Sequence, residues 1–222
     1  MGVFYVFAFA FGAVWGSFLN VVIYRVPQRL SLVKPGSFCP HCKTPIRPYD
    51  NVPIFGWLWL RGRCRQCRAP ISMRYPAIEL LMALLALGLA VHVCGGRLEP
   101  ALAAGGDWQS VLMAYLFLFF WFAALVALFF IDLDTTELPP EICIPGIVLG
   151  LLNAYFVPEY GRLGDLVPNV RLMSSALGAL VGGGLVLGII VAYYLATGRL
   201  GMGGGDVWMM AMVGSFVGWP GL

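Results

Sequence analysis

The sequence predicts an all-α polytopic membrane protein of about six transmembrane helices. Three observations carry this. Of 222 residues, 60% are apolar and only 11% charged, against roughly 45–50% and 25% in a soluble domain. Long runs lack Asp, Glu, Lys and Arg altogether. Ten of the 14 basic residues fall in one loop, Arg25 to Arg74, with Asp50 the single acid there. A soluble globule of this size could not bury so much apolar surface. The composition excludes an ordinary cytosolic enzyme, a disordered chain and a nucleic-acid binder of standard type.

Each charge-free run is a candidate span, because about 20 apolar residues cross a bilayer core. The runs are Met1–Tyr24, Leu80–Gly96, Trp108–Ile131, Ile142–Pro158, Leu172–Gly198 and Val207–Leu222. The first is too long, and lacks the basic flank and cleavage site, to be a signal peptide. The fifth contains Gly178 with Gly182 and Gly184 with Gly188, two small-xxx-small pairs that suit close helix packing. The last run stops with the chain at Pro220-Gly221-Leu222, so a C-terminal truncation with further helices beyond is expected. The sequence shows no internal repeat.

Basic loops of this length stay on the cytoplasmic side. The N-terminus is then outside, as are the segments holding Arg97, Glu99 and Asp107 and holding Glu159, Arg162, Asp165 and Arg171. Asp132–Glu141 and Gly198–Asp206 come out inside. Sidedness explains the basic loop without a nucleic-acid partner; membrane lipid is its expected surrounding.

That loop carries Cys39-Pro-His-Cys42 and Cys64-Arg-Gln-Cys67, two CxxC knuckles with 21 residues between them. Four thiolates so spaced suit a structural, tetrahedral Zn²⁺, and a reducing compartment disfavours disulfides. Arg63, Arg65 and Arg68 are expected to favour ionised thiols. His41 reads as a bystander, and Cys94 and Cys143 as small buried hydrophobes. The expected organisation is 1–24 as the first transmembrane helix, 25–74 as the cytoplasmic four-cysteine domain, and 75–222 as helices two to six.

Carboxylates at a membrane edge raise the chemical question. Glu79 opens the second span at its cytoplasmic start, where a snorkelling or capping role and a catalytic one are equal readings. Asp132 and Asp134 close the third span, and Asp206 opens the sixth after Gly203-Gly204-Gly205. The topology puts all three aspartates at one depth. Two such acids could share a proton, one acting as base on water while the other polarises a carbonyl. The glycines would allow a strained backbone and an approaching substrate strand. The plainer reading is an N-cap at Asp206 and a solvated helix end at Asp132. Charge and position leave both open.

The combination resembles the bacterial type IV prepilin peptidases, a family of GxGD aspartyl proteases. Gly16-Ser17-Phe18-Leu19-Asn20 through Arg25-Val26-Pro27 resembles the family's opening motif. The CxxC pairs, with Asn51-Val52-Pro53 and Trp57-Leu58-Trp59-Leu60-Arg61-Gly62 between them, resemble its zinc domain. Arg74-Tyr75-Pro76 with Glu79-Leu80 resembles the entry to its second helix. Asp132-Leu133-Asp134 with Leu138-Pro139 resembles the first catalytic motif, and Gly203-Gly204-Gly205-Asp206 the second. The resemblance implies Asp132 and Asp206 as the catalytic acids, with Asp134 an alternative to the first. It implies cleavage of the basic leader from prepilins or type II secretion pseudopilins at the cytoplasmic face of the bacterial inner membrane. In many members N-methylation of the new terminus by S-adenosylmethionine follows; no donor site is legible here. Two positions depart from the pattern. Trp208 stands where Lys is usual, and Pro140-Glu141 where Asp usually follows Leu-Pro. These keep a catalytically inactive relative or a zinc-loop membrane adaptor as alternatives. A metal transporter would need polar ligands inside the spans, and they are nearly absent.

Overall fold

The computed structural model describes residues 2–95, 108–157, 172–199 and 201–221. Among these the chain is helical, and its only extended pairings are two isolated bridges, Phe38 with Pro45 and Arg63 with Pro70. The connecting segments around Arg97–Asp107 and Glu159–Arg171 lie outside the described residues. Four helical stretches are long and apolar enough to cross a membrane: Gly2–Arg25, Arg74–Cys94, Trp108–Thr135 and Leu172–Thr197. Among the described residues, four of the six expected spans are helices of that kind. The helix over the fourth run, Pro140–Phe156, has 17 residues, and that over the sixth, Gly204–Val217, has 14. At 1.5 Å per residue they rise only about 26 and 21 Å, short of a hydrocarbon core of about 30 Å.

The residues form two compact units, Met1–Ala90 and Val91–Leu222. In the first, α1 (Gly2–Arg25) packs on α3 (Arg74–Leu89), which runs on as a π turn through Cys94. Small residues allow it. Ala8, Gly12 and Gly16 recur every four positions on the buried face of α1, and a Cβ at Gly16 would sit 2.7 Å from the Glu79 Cα. Asn20 ties the pair by donating from Nδ2 to the carbonyls of Gly16 and Tyr75, each at 3.2 Å. The opening motif is thus first of all a helix–helix clamp. Between the two helices lie the cysteine knuckles and a short helix, α2 (Phe55–Trp59).

In the second unit, α7 (Gly204–Val217) is held between α5 (Pro140–Phe156) and α6 (Leu172–Thr197). Gly146 and Gly150 of α5 lie directly under Met212 and Ser215, and Gly178 of α6 lies against Gly214. The Ser175 hydroxyl donates to the Ser215 carbonyl, so a buried polar group finds its partner across the same seam. The glycine pairs of α6 behave unequally. Gly178 and Gly182 are buried as expected, whereas Gly184 and Gly188 face open space. The missing partner surface is the reason: a Gly pair marks an interface only where another backbone arrives. α4 (Trp108–Thr135) adds Trp121, whose ring stacks on Phe216 at 4.7 Å. Cys94 and Cys143 are fully buried.

Candidate active site and metal centre

The cysteine centre is built from two copies of one local device. The residues Cys39-x-x-Cys42-Lys43-x-Pro45-Ile46 recur 25 positions later as Cys64-x-x-Cys67-Arg68-x-Pro70-Ile71. The backbone repeats with them. Cys39 N–H donates to Thr44 O (3.0 Å) and Ile46 N–H to Ser37 O (2.9 Å); Cys64 N–H donates to Ala69 O (2.8 Å) and Ile71 N–H to Gly62 O (2.7 Å). Lys43 and Arg68 each take the left-handed conformation, φ 58° and 60°, which turns the chain back after the second cysteine. This internal repeat is visible in the sequence once the Pro-Ile after each knuckle is aligned, and it corrects the reading that none exists.

The four sulfurs lie within 4.8 Å of one another. Cys39 and Cys67 are 3.8 Å apart, and Cys42 and Cys64 3.9 Å. A zinc tetrahedron with Zn–S of about 2.3 Å has edges of about 3.8 Å, so the donor set fits Zn²⁺ with little adjustment. His41 is exposed and outside the cluster. The thiols are not alike. Cys42 is lowered to about 6, chiefly by hydrogen bonding to the Thr44 side chain and backbone. Cys64 is lowered by the backbone at Cys67 and Gln66. At Cys67 the Ala69 backbone lowers the thiol, but burial and the neighbouring cysteines outweigh it and push it up to about 11. The expected cause was the arginines; the structure assigns the lowering to Thr44 and the knuckle backbone, whose donors point at the sulfurs. Arg65 instead forms a bidentate pair with Asp50, at 2.8 and 2.6 Å, which holds the Asp50 carboxyl below its usual range.

Glu79 is buried, and its Oε2 accepts the Ile54 N–H at 2.6 Å. Beyond the readings of the sequence, the structure shows a tether: the carboxylate joins α3 to the entry of α2, at the level where Gly16 of α1 packs on the Glu79 backbone.

The aspartates lie in the second unit. Asp132 sits one turn from the end of α4 and is exposed, with Asp134 exposed two residues on. Its carbonyl accepts the Thr136 N–H at 2.8 Å. Thr136 takes φ 54°, and the following Leu138-Pro139 prevents further helix. Asp206 is half-buried in the first turn of α7, three residues after the N-cap Gly203. It is therefore not the N-cap itself, although an acid there complements the helix dipole. The glycines are not strained: Gly203 has φ −78°. Their use is close approach. A Cβ at Gly205 would lie 2.5 Å from the Leu138 carbonyl oxygen and 2.7 Å from its Cβ. The segment that follows Asp132 thus rests on the residue that precedes Asp206. The neighbour is the chain's own backbone, in the place where a substrate strand was expected. Trp208 is largely exposed.

Residues 10–93 match the Bacterial Peptidase A24 N-terminal domain, and 117–222 match the Type IV leader peptidase family. The chain belongs to the type IV leader peptidase family. Its peptidase match takes in both aspartate motifs, and its N-terminal match takes in both knuckles. Among relatives, a prepilin leader peptidase/N-methyltransferase of Aeromonas hydrophila is 37% identical over 96% of this chain and 73% of its own length. Proteins of the same name from Neisseria gonorrhoeae and Myxococcus xanthus are 36% and 38% identical. They cover 93% and 99% of this chain and 72% and 58% of their own lengths. No solved structure matches. Membership of this leader peptidase family, with its long apolar helices, makes the chain a membrane protease.

Two contributors escaped the sequence reading. Gly146 and Gly150 seat α7, and their four-residue spacing, continued by Ala154, is a signal of the same kind as that noted in α6. Gly12 and Gly16 do the same for α1, again four apart.

Proposed function

We propose that the chain is an aspartyl endopeptidase that removes the basic leader from type IV prepilins or type II secretion pseudopilins. Asp132 and Asp206 are its catalytic pair, and the cut falls at the cytoplasmic face of the bacterial inner membrane. The observation that carries this is the contact of Leu138 with Gly205, which links the two aspartate motifs across 74 positions of sequence. Family membership and the names of the relatives support the same reading.

In this reading one carboxylate takes a proton from water while the other, protonated, donates to the scissile carbonyl oxygen. Water oxygen bonds to the carbonyl carbon, and the tetrahedral intermediate collapses with the C–N bond breaking and a proton passing to the leaving amine. That amine begins the mature pilin. S-adenosylmethionine would supply the methyl group for its N-methylation, the second activity in the relatives' names. Residues 25–74 form the cytoplasmic zinc domain, held by Cys39, Cys42, Cys64 and Cys67, and 75–222 carry the protease site. The ten basic residues of that loop against a single acid, a balance of +9, support the sidedness.

Leader removal in membranes carrying Asp132→Asn or Asp206→Asn tests the proposal. Each variant is expected to lose about 10³-fold in rate, within the span of general acid–base catalysis. Parental cleavage by both sinks the dyad.

A further inference from the structure

We propose that α2 is an interfacial helix whose outer face, Phe55, Leu58 and Trp59, lies in the headgroup region of an anionic phospholipid leaflet. The inference is independent of the peptidase reading and rests on the first unit alone.

The five residues of α2 divide cleanly between two faces. Gly56 is buried against the Asp50 backbone. Trp57 donates from Nε1 to the Ile71 carbonyl at 3.0 Å, and its ring covers Gly62. Those residues fasten α2 to the zinc domain. Phe55, Leu58 and Trp59, at helical spacing i, i+3 and i+4, are 66%, 56% and 81% exposed. Three large apolar side chains on one short helix are an unusual thing to leave in water.

The anchoring of α2 says what covers them. Its entry residue, Ile54, is held by Glu79. Glu79 lies five residues inside α3 from Arg74. At 1.5 Å per residue that depth is about 8 Å below the helix end. The headgroup layer is roughly 5–8 Å thick on each side of the core. A helix tied at that level of a membrane helix begins near the boundary between headgroups and acyl chains. Ile54 holds φ 64°, ψ −55° to make the connection, a conformation unusual for a β-branched residue.

Charge selects the lipid. Arg61 and Arg63 follow Trp59 within four residues, Arg25 and Arg74 mark the helix ends, and the whole loop holds one acid. Each basic side chain near an anionic surface adds to the attraction. Trp at such a boundary, apolar ring inward and N–H outward, is the usual interfacial anchor. The chemistry therefore fits an anionic glycerophospholipid, with phosphates meeting arginines and acyl carbons meeting the rings.

The test uses the full chain, labelled with 5-fluorotryptophan, in nanodiscs; Trp59→Phe assigns the Trp59 resonance. A nitroxide at the head of the acyl chain is expected to broaden that resonance at least about threefold more than an aqueous gadolinium chelate does in phosphatidylglycerol discs. In phosphatidylcholine discs the ratio is expected to fall by about twofold or more, because the arginines lose their partners. Stronger broadening by the chelate would place the face in water and overturn the proposal. Protection from both agents would show it covered by protein, such as a second copy, and would overturn it too. A ratio indifferent to headgroup charge would overturn the choice of an anionic lipid.

Discussion

Gly205→Ala asks whether the two aspartate motifs are fitted to each other. The added methyl would meet the Leu138 carbonyl oxygen at 2.5 Å, where ordinary contact begins at 3.4 Å. The Leu138 segment must retreat by the difference, about 0.9 Å, or α7 must move by as much. Overpacking of this kind costs about 1–3 kcal/mol, partly offset by the helical preference of Ala over Gly, up to about 1 kcal/mol. The net loss of stability is small. The loss of rate is not, because a misplacement near 1 Å in a catalytic constellation can cost about 10²-fold. Gly204 is the control: a Cβ there meets nothing within 4 Å. Steady-state cleavage of a prepilin by purified chain should therefore fall about 100-fold in Gly205→Ala and stay at the parental rate in Gly204→Ala. Parental activity in Gly205→Ala, or an equal loss in Gly204→Ala, refutes the reasoning.

Other outcomes follow from the same contacts. Cys39→Ser opens the four-sulfur cluster, so the purified variant should bind less than about half an equivalent of zinc by elemental analysis, against about one for the parent. Asp50 is held low by Arg65, so their pair contributes stability above the unfolded carboxylate value of about 4 and loses it as pH falls through the lower folded value. Asp50→Asn should then melt below the parent at pH 7, with the gap closing as both are taken into acid below about pH 4. Gly178→Ala drives a methyl into the Gly214 backbone, whereas Gly184→Ala meets open space. Thermal unfolding in detergent should show a loss for the first, about 1–3 kcal/mol of overpacking less the helical preference of Ala, and no loss or a gain of up to about 1 kcal/mol for the second.

The long helices were legible because their charge-free runs need no partner to be recognised; Trp108–Thr135 and Leu172–Thr197 nearly coincide with those runs. The metal centre was legible for a related reason, since a CxxC turn fixes two sulfurs locally. Packing was not. Gly184 and Gly178 look alike in sequence, and only the arrival of Gly214 distinguishes them. Nor could the sequence tell that Gly205 makes room for Leu138, because that contact joins distant segments. Glu79 shows the same limit. Its place at the start of a span marks it in the sequence, but its bond to the Ile54 N–H is visible only in the structure.

In the proposed mechanism Asp132 and Asp206 act as one unit. Cleavage rates of Asp132→Asn, Asp206→Asn and the double variant form a cycle that tests it most directly, with Asp134→Asn beside them. Groups that work together lose nearly everything with the first removal. Each single variant should fall about 10³-fold, the double no further, and Asp134→Asn should stay near the parental rate. Losses that multiply in the double variant, or a single variant that cleaves like the parent, would contradict the claim.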